Sequence, residues 1–450
     1  MLSANHVAIV GGGFSGTLLA INLLRHGAVR VTLIERRGDR FGRGLAYGAA
    51  QHDHILNVRA ANMSALPDEP GHFADWLRTR AAGQDASFAT RQTYGLYLRD
   101  LLEAAKAAAG ARLRLVEAEA VDLRVSDGAA TVRLATGAQV KADIAVLAPG
   151  NLPPHALPAF AGIAHPTYAD DPWALGLADG LGPEDQVLLL GTGLTAVDCA
   201  LSFDTAGFAG PIVAVSRRGL LPRAHAPAQA APGLSERPNG SASALVRRVR
   251  ARADAVGWRA AVDELRPFTQ DMWRAADASD RARFLRHLRP YWDVHRHRIA
   301  PAVADRLAGM RAAGRLEIAA AKVMEARPDG ARIAVALRSR GSDAVAWRHF
   351  ARVVNCTGPL GDLGRTRDQL LRALASQSAI RPDSLAIGID VDRQCRAIGA
   401  GGEARDRLRV VGPMTRGAHW EIVAVPDIRR QVWTLARDIS NAHWVEAAGL

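Results

Sequence analysis

The stretch "VAIVGGGFSGTLLA" at residues 7–20 decides the fold of this chain. A short apolar run ends in three successive glycines, and a helix-forming run follows them. Gly11 permits a tight turn, Gly13 lets backbone N–H groups approach a pyrophosphate, and Gly16 allows a helix to pack closely on a strand. The stretch therefore predicts a strand–turn–helix unit that binds the phosphates of a dinucleotide.

The strand predicted after this helix, "RVTLIE" at residues 30–35, ends in a carboxylate. Glu35 lies 24 residues after Gly11, which is where an acidic side chain accepts hydrogen bonds from ribose hydroxyls. A carboxylate there would repel a ribose 2′-phosphate, so the first unit is predicted to bind an adenosine with a free 2′-hydroxyl. A glycine-rich turn that binds nothing is the alternative.

A second unit with the same layout begins at residue 186, in "QVLLLGTGLTAVDCA". Gly191 and Gly193 repeat the first two glycines, and Ala196 stands where the third glycine would be. An apolar run precedes the turn and a helical pattern follows it. The chain is therefore predicted to contain two dinucleotide-binding units.

The second unit differs from the first at the end of its second strand, "IVAVS" at residues 212–216. Ser216 lies 25 residues after Gly191, and Arg217 and Arg218 follow it. Hydroxyl and guanidinium groups bind a 2′-phosphate, so this unit is predicted to take NADPH. A solvated basic turn is the alternative interpretation.

Two different dinucleotides in one chain indicate FAD and NADPH, with hydride passing from nicotinamide to flavin. The predicted fold is α/β, with two Rossmann-like dinucleotide-binding domains of the three-layer ββα/βα type and an antiparallel meander at 112–150. An FAD-binding domain is predicted from residues 1–178 and 346–450, and an NADPH-binding domain from 179–345. The second domain carries an inserted helical segment at 243–313, which is either a substrate lid or a fixed wall.

Composition limits the function classes. The chain has 450 residues, 48% of them apolar, so it can bury large cores without metals or disulfides. The formal net charge of +12 comes from arginines spread along the chain without a nucleic-acid-binding motif, which argues against a nucleic-acid partner. The sequence contains no apolar run long enough to predict a membrane span, and a cytoplasmic location is expected. The oligomeric state stays open.

The three cysteines, Cys199, Cys356 and Cys395, lie far apart in the sequence and form no C-x-x-C pair. This spacing predicts no metal site and lacks the dithiol motif of disulfide reductases. A reducing compartment is the simple interpretation.

Several stretches resemble one bacterial family. They are "GRGLAYG" (42–48), "HILNVRAANM" (54–63), "YWDVHRHRIAP" (291–301) and "GPMTRGAHWEIVAVPDIR" (412–429), together with the first glycine turn. The chain resembles the bacterial FAD/NAD(P)-binding proteins, which are similar to flavin-containing monooxygenases and amino-acid N-hydroxylases. Flavin monooxygenases carry F-x-G-x-x-x-H before the NADPH turn, whereas "FAGIAH" at 160–165 is one residue shorter.

The resemblance implies an FAD/NADPH-dependent oxidoreductase, expected to be a monooxygenase of a small polar or amino-bearing metabolite. NADPH would reduce FAD, and a C4a-hydroperoxyflavin would transfer one oxygen atom. Two alternatives stay open. One is an NADPH-dependent flavin reductase that passes electrons to a quinone or carrier protein, and the other is a non-catalytic, redox-sensing flavoprotein.

The site predictions follow from these units and from the resemblance. Contacts to FAD are expected from Gly11, Gly13, Phe14, Ser15, Gly16, Glu35, Arg36, Gly44, Asn57, Met63, Val121, Gly150, Gly412 and Trp420. Contacts to NADPH are expected from Gly191, Thr192, Gly193, Leu194, Thr195, Ser216, Arg217 and Arg218. Candidates for catalysis are Asn57, Asn62 and Arg416. His295 and Arg298 are predicted to share a helix face that binds an acidic group of the substrate, with a salt-bridged wall as the alternative.

Overall fold

The computed structural model describes residues 4–49, 51, 53–80, 87–226 and 233–441. The strands are β1 (His6–Val10), β2 (Arg30–Glu35), β3 (Leu113–Glu117), β4 (Ala120–Val125), β5 (Ala130–Leu134), β6 (Gln139–Ala142), β7 (Ile144–Leu147), β8 (Tyr168–Ala169), β9 (Val187–Leu190), β10 (Ile212–Ser216), β11 (Leu316–Asp329), β12 (Arg332–Ser339), β13 (Val345–Phe350), β14 (Arg352–Asn355), β15 (Arg396–Ile398) and β16 (Ala404–Val410).

The helices are α1 (Phe14–His26), α2 (Gly44–Gly48), α3 (His72–Arg80), α4 (Arg91–Ala109), α5 (Leu194–Thr205), α6 (Ala242–Val256), α7 (Trp258–Asp263), α8 (Thr269–Ala275), α9 (Ala278–Arg283), α10 (Arg289–Arg296), α11 (Pro301–Ala312), α12 (Gln369–Ser376) and α13 (Val425–Ile439). A π-helical turn at Phe284–Leu288 joins α9 to α10. Helices α6 to α11 occupy the segment that the sequence predicts to be helical.

The first sheet has six strands in the order β15-β16-β7-β1-β2-β3, and all neighbours except β15 and β16 run parallel. Its central strands β1, β2 and β7 are buried on both faces, as parallel strands are. Val7 and Ile9 face a core shared with α1, α4 and α13, whereas Ala8 faces a core shared with α12 and the separate three-stranded sheet β4-β5-β6. This arrangement confirms the predicted three-layer ββα fold class.

The second sheet has seven strands in the order β13-β12-β11-β10-β9-β14-β8. Strand β11 pairs parallel with β10 through its first half and then turns with β12 and β13 into an antiparallel ribbon. That ribbon covers one face of the sheet, and α5 and α11 cover the other. The second half of the chain therefore repeats the layers of the first.

The antiparallel meander predicted at 112–150 occupies only the middle of that range. Strand β3 pairs parallel with β2, and β7 pairs parallel with β1, so only β4, β5 and β6 are antiparallel. Alternation of apolar and polar residues marks a strand but does not identify its partner, which lies far away in sequence.

The strands that belong to the second sheet indicate where the second domain begins and ends. Strands β8 and β14 pair with each other, and β14 also pairs with β9 in the second sheet. Phe160 is fully buried against that sheet, beside Leu157. We therefore propose that the second domain runs from Leu157 to Cys356, which extends the predicted 179–345 in both directions.

A substitution at Gly16 tests how closely α1 packs on β1. A Cβ atom at this position would collide with the carbonyl oxygen of Gly11. Gly16→Ala is therefore expected to lower the free energy of unfolding by roughly 1–3 kcal/mol, as overpacking does. Chemical denaturation followed by circular dichroism measures this change.

Gly309 in α11 provides the control, because nothing described lies within 4 Å of a Cβ placed there. Gly309→Ala is expected to raise the free energy of unfolding by about 0.5–1 kcal/mol through helix propensity. Equal stability changes in the two variants would contradict the packing account.

Candidate functional site

The first glycine turn is held by the strands on either side of it. Gly11 has a φ of +107°, and its N–H donates to the Ile34 carbonyl oxygen at 2.8 Å. A Cβ on Gly11 would collide with the carbonyl oxygen of Ala148, just beyond β7. The neighbouring Gly12 N–H donates to Glu35 Oε2 at 2.9 Å, which fixes the carboxylate at the end of β2. Only glycine fits this turn, and the turn places Glu35 beside it.

Helix α1 starts at this turn without any acceptor of its own. Its N-cap residue, Gly13, makes no side-chain capping hydrogen bond, and the first helical turn contains no acidic residue. The free N–H groups and the positive end of the helix dipole therefore favour an anion at this point.

Two arginines missed by the sequence analysis lie around the same point. The Arg40 side chain is only 13% exposed and donates from Nη1 to the Gly44 carbonyl oxygen at 3.2 Å. Arg43 Nη2 donates to the Asp39 carbonyl oxygen at 2.7 Å. Gly44 packs directly on Gly13, at 3.2 Å from where a Cβ on Gly13 would be. The sequence shows that arginines are frequent at 36–43, but it does not show which of their side chains are buried.

The second glycine turn repeats the first. The Gly191 N–H donates to the Val215 carbonyl oxygen at 2.8 Å, and its φ of +126° again requires glycine. Thr192 Oγ1 and Ser216 Oγ lie 2.8 Å apart, so the middle residue of the turn again bonds to the last residue of the second strand. Helix α5 starts at Gly193 with no side-chain cap and no acid in its first turn.

The charges at the two strand ends are opposite. Ser216 Oγ accepts the Gly219 N–H at 3.0 Å and is thereby held within the turn. Arg217 is exposed, and the Arg218 guanidinium lies 5.6 Å from the ring centre of Tyr291 in α10. Within the described ranges no carboxylate pairs with either arginine. The strand end that matches Glu35 thus carries a hydroxyl group followed by two cations.

A single cavity of about 2370 Å³ reaches both turns. Small-molecule pockets commonly measure about 300–1,000 Å³, so this space exceeds the needs of one small ligand. Its wall contains most of the predicted contacts, namely Gly11, Gly13, Phe14, Ser15, Glu35, Arg36, Gly44, Asn57, Asn62, Met63, Gly150, Gly193, Leu194, Thr195, Arg298, Arg416 and Trp420.

Other predicted residues lie behind this wall or beside it: Gly16, Val121, Gly191, Thr192, Ser216, Arg217, Arg218, His295 and Gly412. Val121 is buried in β4. Gly412 packs on Ser15, and its N–H donates to Gln431 Oε1 at 2.8 Å. These two residues therefore support the wall rather than face the cavity.

Asn57 and Asn62 line the cavity, and their side-chain amides have no partner in the described part of the chain. The Asn57 backbone oxygen accepts a hydrogen bond from His225 Nε2 at 3.0 Å, across the boundary between the two sheets. Burial lowers the pKa of His225. The Asn57 side chain is therefore free while its backbone is fixed.

The helical segment closes one end of the cavity by binding the turn that precedes α13. Glu421 in that turn is buried and accepts Trp292 Nε1 at 2.5 Å and Arg296 Nε at 2.9 Å. Trp273 donates from Nε1 to the Gly417 carbonyl oxygen at 2.8 Å, and its ring stacks on Trp420 at 4.6 Å. Of the two predicted possibilities, these contacts favour a fixed wall over a lid.

Glu421 adopts a φ of +64°, which is strained for a residue with a side chain. Glu421→Ala should lower the free energy of unfolding by roughly 3–5 kcal/mol, because Arg296 is then buried without a partner. Thermal unfolding of the FAD-loaded protein measures this loss.

The exposed pair of Glu317 and Arg348, 2.9 Å apart, serves as the control. Glu317→Ala should cost no more than about 1 kcal/mol. A Glu421→Ala variant as stable as Glu317→Ala would show that the wall is not held through this carboxylate.

The prediction that His295 and Arg298 share a helix face is wrong. Helix α10 ends at Arg296, so Arg298 lies beyond it. Arg298 is 5% exposed and donates from both terminal nitrogens to the Asp263 carboxylate at 2.9 Å. His295 instead bonds through Nδ1 to the Tyr291 carbonyl oxygen at 2.7 Å. The pattern of helical residues did not show where the helix stops, and Arg298 is part of a salt-bridged wall.

The N-terminal segment matches a known family. Residues 8–152 match the family model described as FAD-NAD(P)-binding. This segment is therefore similar to FAD-NAD(P)-binding domains. The prediction of FAD and a nicotinamide dinucleotide as cofactors agrees with this match.

The fold of the whole chain is similar to that of solved flavoenzymes. Ornithine N-hydroxylase from Kutzneria sp. 744, in a complex with reduced FAD, NADP+ and L-ornithine, shares 16% identity at a TM-score of 0.67, over 98% of this chain and 99% of that one. Cadaverine monooxygenase from Erwinia amylovora, bound to FAD, shares 13% identity at a TM-score of 0.69, over 98% and 95%. Ornithine hydroxylase from Pseudomonas aeruginosa shares 17% at 0.66, over 97% and 99%.

These likenesses confirm the predicted resemblance at the level of the fold. No curated protein sequence matches the chain significantly. Among the described residues, no helix is long and apolar enough to cross a membrane.

An ion pair links the matched segment, residues 8–152, to the second glycine unit. Arg91 at the start of α4 lies 2.8 Å from Asp198 in α5, and both side chains are largely buried. Burial raises the pKa of Asp198, which Arg91 partly opposes. His54 adds a second link, with its Nε2 2.9 Å from Ser202 Oγ in α5. Both links join residues far apart in sequence, so no local pattern predicted them.

Two cysteines that are distant in sequence meet in the second domain. Cys199 Sγ and Cys356 Sγ lie 3.6 Å apart, and both thiols are free and buried. The contact with Cys356 and burial raise the pKa of the Cys199 thiol. Neither cysteine lines the cavity, so this thiol pair does not reach the space between the two turns.

Proposed function

We propose that the chain is an FAD-dependent, NADPH-using oxidoreductase, and specifically a monooxygenase that acts on a small polar or amino-bearing metabolite. One observation carries the proposal: a single cavity joins two glycine turns whose adjoining strand ends bear opposite charges. The fold likeness to N-hydroxylases supports the monooxygenase class.

The residues present fit FAD at the first turn. The free N–H groups at the start of α1, with Arg40 and Arg43, would hold its phosphates, and Glu35 would hold its ribose. Asn57, Asn62 and Met63 on the cavity wall would lie against the ring system. When bound, FAD supplies hydride acceptance and reactivity toward O₂.

The second turn fits NADPH in the same way. The start of α5 would hold its pyrophosphate, and Arg217 with Arg218 would hold its 2′-phosphate. The links from Arg91 to Asp198 and from His54 to Ser202 would fix the distance between the two cofactors. These links give the chain a positioning role, because transfer between two bound groups depends on their alignment.

The closed end of the cavity would exclude water rather than bind a cofactor. Trp420 stacks on Trp273 of the helical segment, and Phe284 of the same segment meets Trp420 edge-on at 5.3 Å. This aromatic wall would exclude water from the space beside the flavin, which a monooxygenase requires to avoid releasing peroxide.

Coupled turnover tests the reaction type. The FAD-loaded protein is mixed with NADPH, air and a panel of amines and amino acids, while NADPH loss, peroxide and product are measured. A monooxygenase gives a product that contains one labelled oxygen atom from isotopically labelled O₂, with little peroxide. Fast anaerobic turnover with an artificial quinone and no labelled product would instead identify a reductase, and negligible turnover with any acceptor would identify a sensor.

A further inference from the structure

Arg416, at the closed end of the cavity, has no hydrogen-bond or ion-pair partner for its guanidinium among the described residues. Arg416 lies on the cavity wall, between the turn at Gly412 and the aromatic wall. We propose that its guanidinium binds a carboxylate of the substrate, so that the substrate class is a small organic acid. This proposal rests on the proposed function, since it assigns a substrate class to the same cavity.

The backbone around Arg416 is rigid. Thr415 is fully buried, and its Oγ1 donates to the Gly412 carbonyl oxygen at 2.8 Å and accepts Gln431 Nε2 at 2.9 Å. The guanidinium itself lies 6.0 Å from the ring centre of Trp420. A fixed backbone and an aromatic neighbour limit the directions in which this charge can point.

No described residue accepts a hydrogen bond from the Arg416 side chain, and none forms an ion pair with it. The nearby carboxylates already have partners. Glu421 binds Trp292 and Arg296, Asp293 lies 3.2 Å from Arg289, and Asp263 binds Arg298. The Arg416 guanidinium is therefore left without a carboxylate partner among the described residues.

The surroundings make that charge costly. Burial, followed by the nearby charge of Arg289, lowers the pKa of Arg416 to about 10. The group is still charged at neutral pH, yet a partly buried charge without a partner is unfavourable. An anion that enters the cavity would remove this penalty and so bind more strongly than its neutral counterpart.

The chemistry of the site favours a carboxylate over a phosphate. A guanidinium binds two oxygens of a carboxylate, or of a phosphate, with two parallel hydrogen bonds, so its shape alone does not separate the two anions. Phosphate groups have separate candidate sites at the starts of α1 and α5, which Arg416 does not join. The neighbouring Trp420 ring offers an apolar surface to the body of the acid.

Binding of a probe acid tests the proposal without relying on turnover. Fluorine NMR follows para-fluorobenzoate and the neutral para-fluorobenzamide with FAD-loaded protein. The acid is expected to bind saturably, with affinity at least tenfold lower in Arg416→Gln, while the amide is unaffected. Arg367→Gln is the control, since Arg367 is exposed at another part of the cavity wall and should leave acid binding unchanged.

A second measurement uses only the wild-type protein, so it does not depend on whether a variant folds. In the wild-type protein the acid, but not the amide, should slow modification of Arg416 by phenylglyoxal, read by peptide mass spectrometry. Unchanged acid affinity in Arg416→Gln, or no protection of Arg416, would overturn the proposal. A changed flavin spectrum in Arg416→Gln with unchanged acid affinity would likewise overturn it and assign Arg416 to the flavin. Acid binding without any turnover would support this proposal while refuting the proposed function.

Discussion

Gly13→Ala should yield a folded protein that is purified without its yellow FAD absorbance. Gly13 has an ordinary extended backbone, with φ −73° and ψ −164°, so alanine does not strain it. A Cβ there would lie 3.2 Å from Gly44 Cα, at the point where a pyrophosphate must approach the start of α1. We expect FAD affinity to fall by about tenfold or more, measured by flavin absorbance and by titration of the apoprotein.

Gly193→Ala is the matched control, because Gly193 has nearly the same backbone angles, φ −84° and ψ −167°. Nothing described lies within 4 Å of a Cβ placed there, so the fold is expected to tolerate it. This variant should keep FAD and lose affinity for NADPH. Retention of FAD by Gly13→Ala, or loss of FAD by Gly193→Ala, would contradict the assignment of the two turns.

Arg217→Ala should weaken NADPH binding and leave NADH binding nearly unchanged. Arg217 is exposed at the end of β10, and no described carboxylate competes for its charge. A charge-assisted hydrogen bond contributes roughly 1.5–3 kcal/mol, which corresponds to an increase of about 10- to 100-fold in the NADPH dissociation constant. Titration of the FAD-loaded protein with each dinucleotide measures the difference.

Arg247→Ala is the control for a general loss of positive charge. Arg247 is exposed on α6, and the structure gives it no ion pair with a described residue. Neither dinucleotide should bind differently to this variant. If Arg217→Ala weakens NADH and NADPH equally, the contact is not with the 2′-phosphate.

The parts of the fold that the sequence predicted correctly are local in the chain. Each glycine unit consists of a strand, a turn and a helix that are consecutive, and their hydrogen bonds repeat from Gly11 to Gly191. The contrast between Glu35 and Ser216 was also visible, because each follows its turn by a nearly fixed number of residues. Such features need only spacing and residue type.

The parts that were missed join distant residues. Cys199 and Cys356 are neighbours only because α5 and β14 pack together, and Arg91 meets Asp198 across two domains. Glu421 was missed for the same reason, since its partners Trp292 and Arg296 lie in the helical segment. Spacing in the sequence gives no information on such contacts, which packing alone determines.

Anaerobic mixing of the FAD-loaded protein with NADPH tests the central claim, that the two turns hold two cofactors facing one cavity. Bound flavin should lose its yellow absorbance in a saturable reaction, and NADH should require a much higher concentration to do the same. Gly193→Ala should slow this bleaching while still holding FAD. Flavin that stays oxidised in the presence of saturating NADPH would contradict the account.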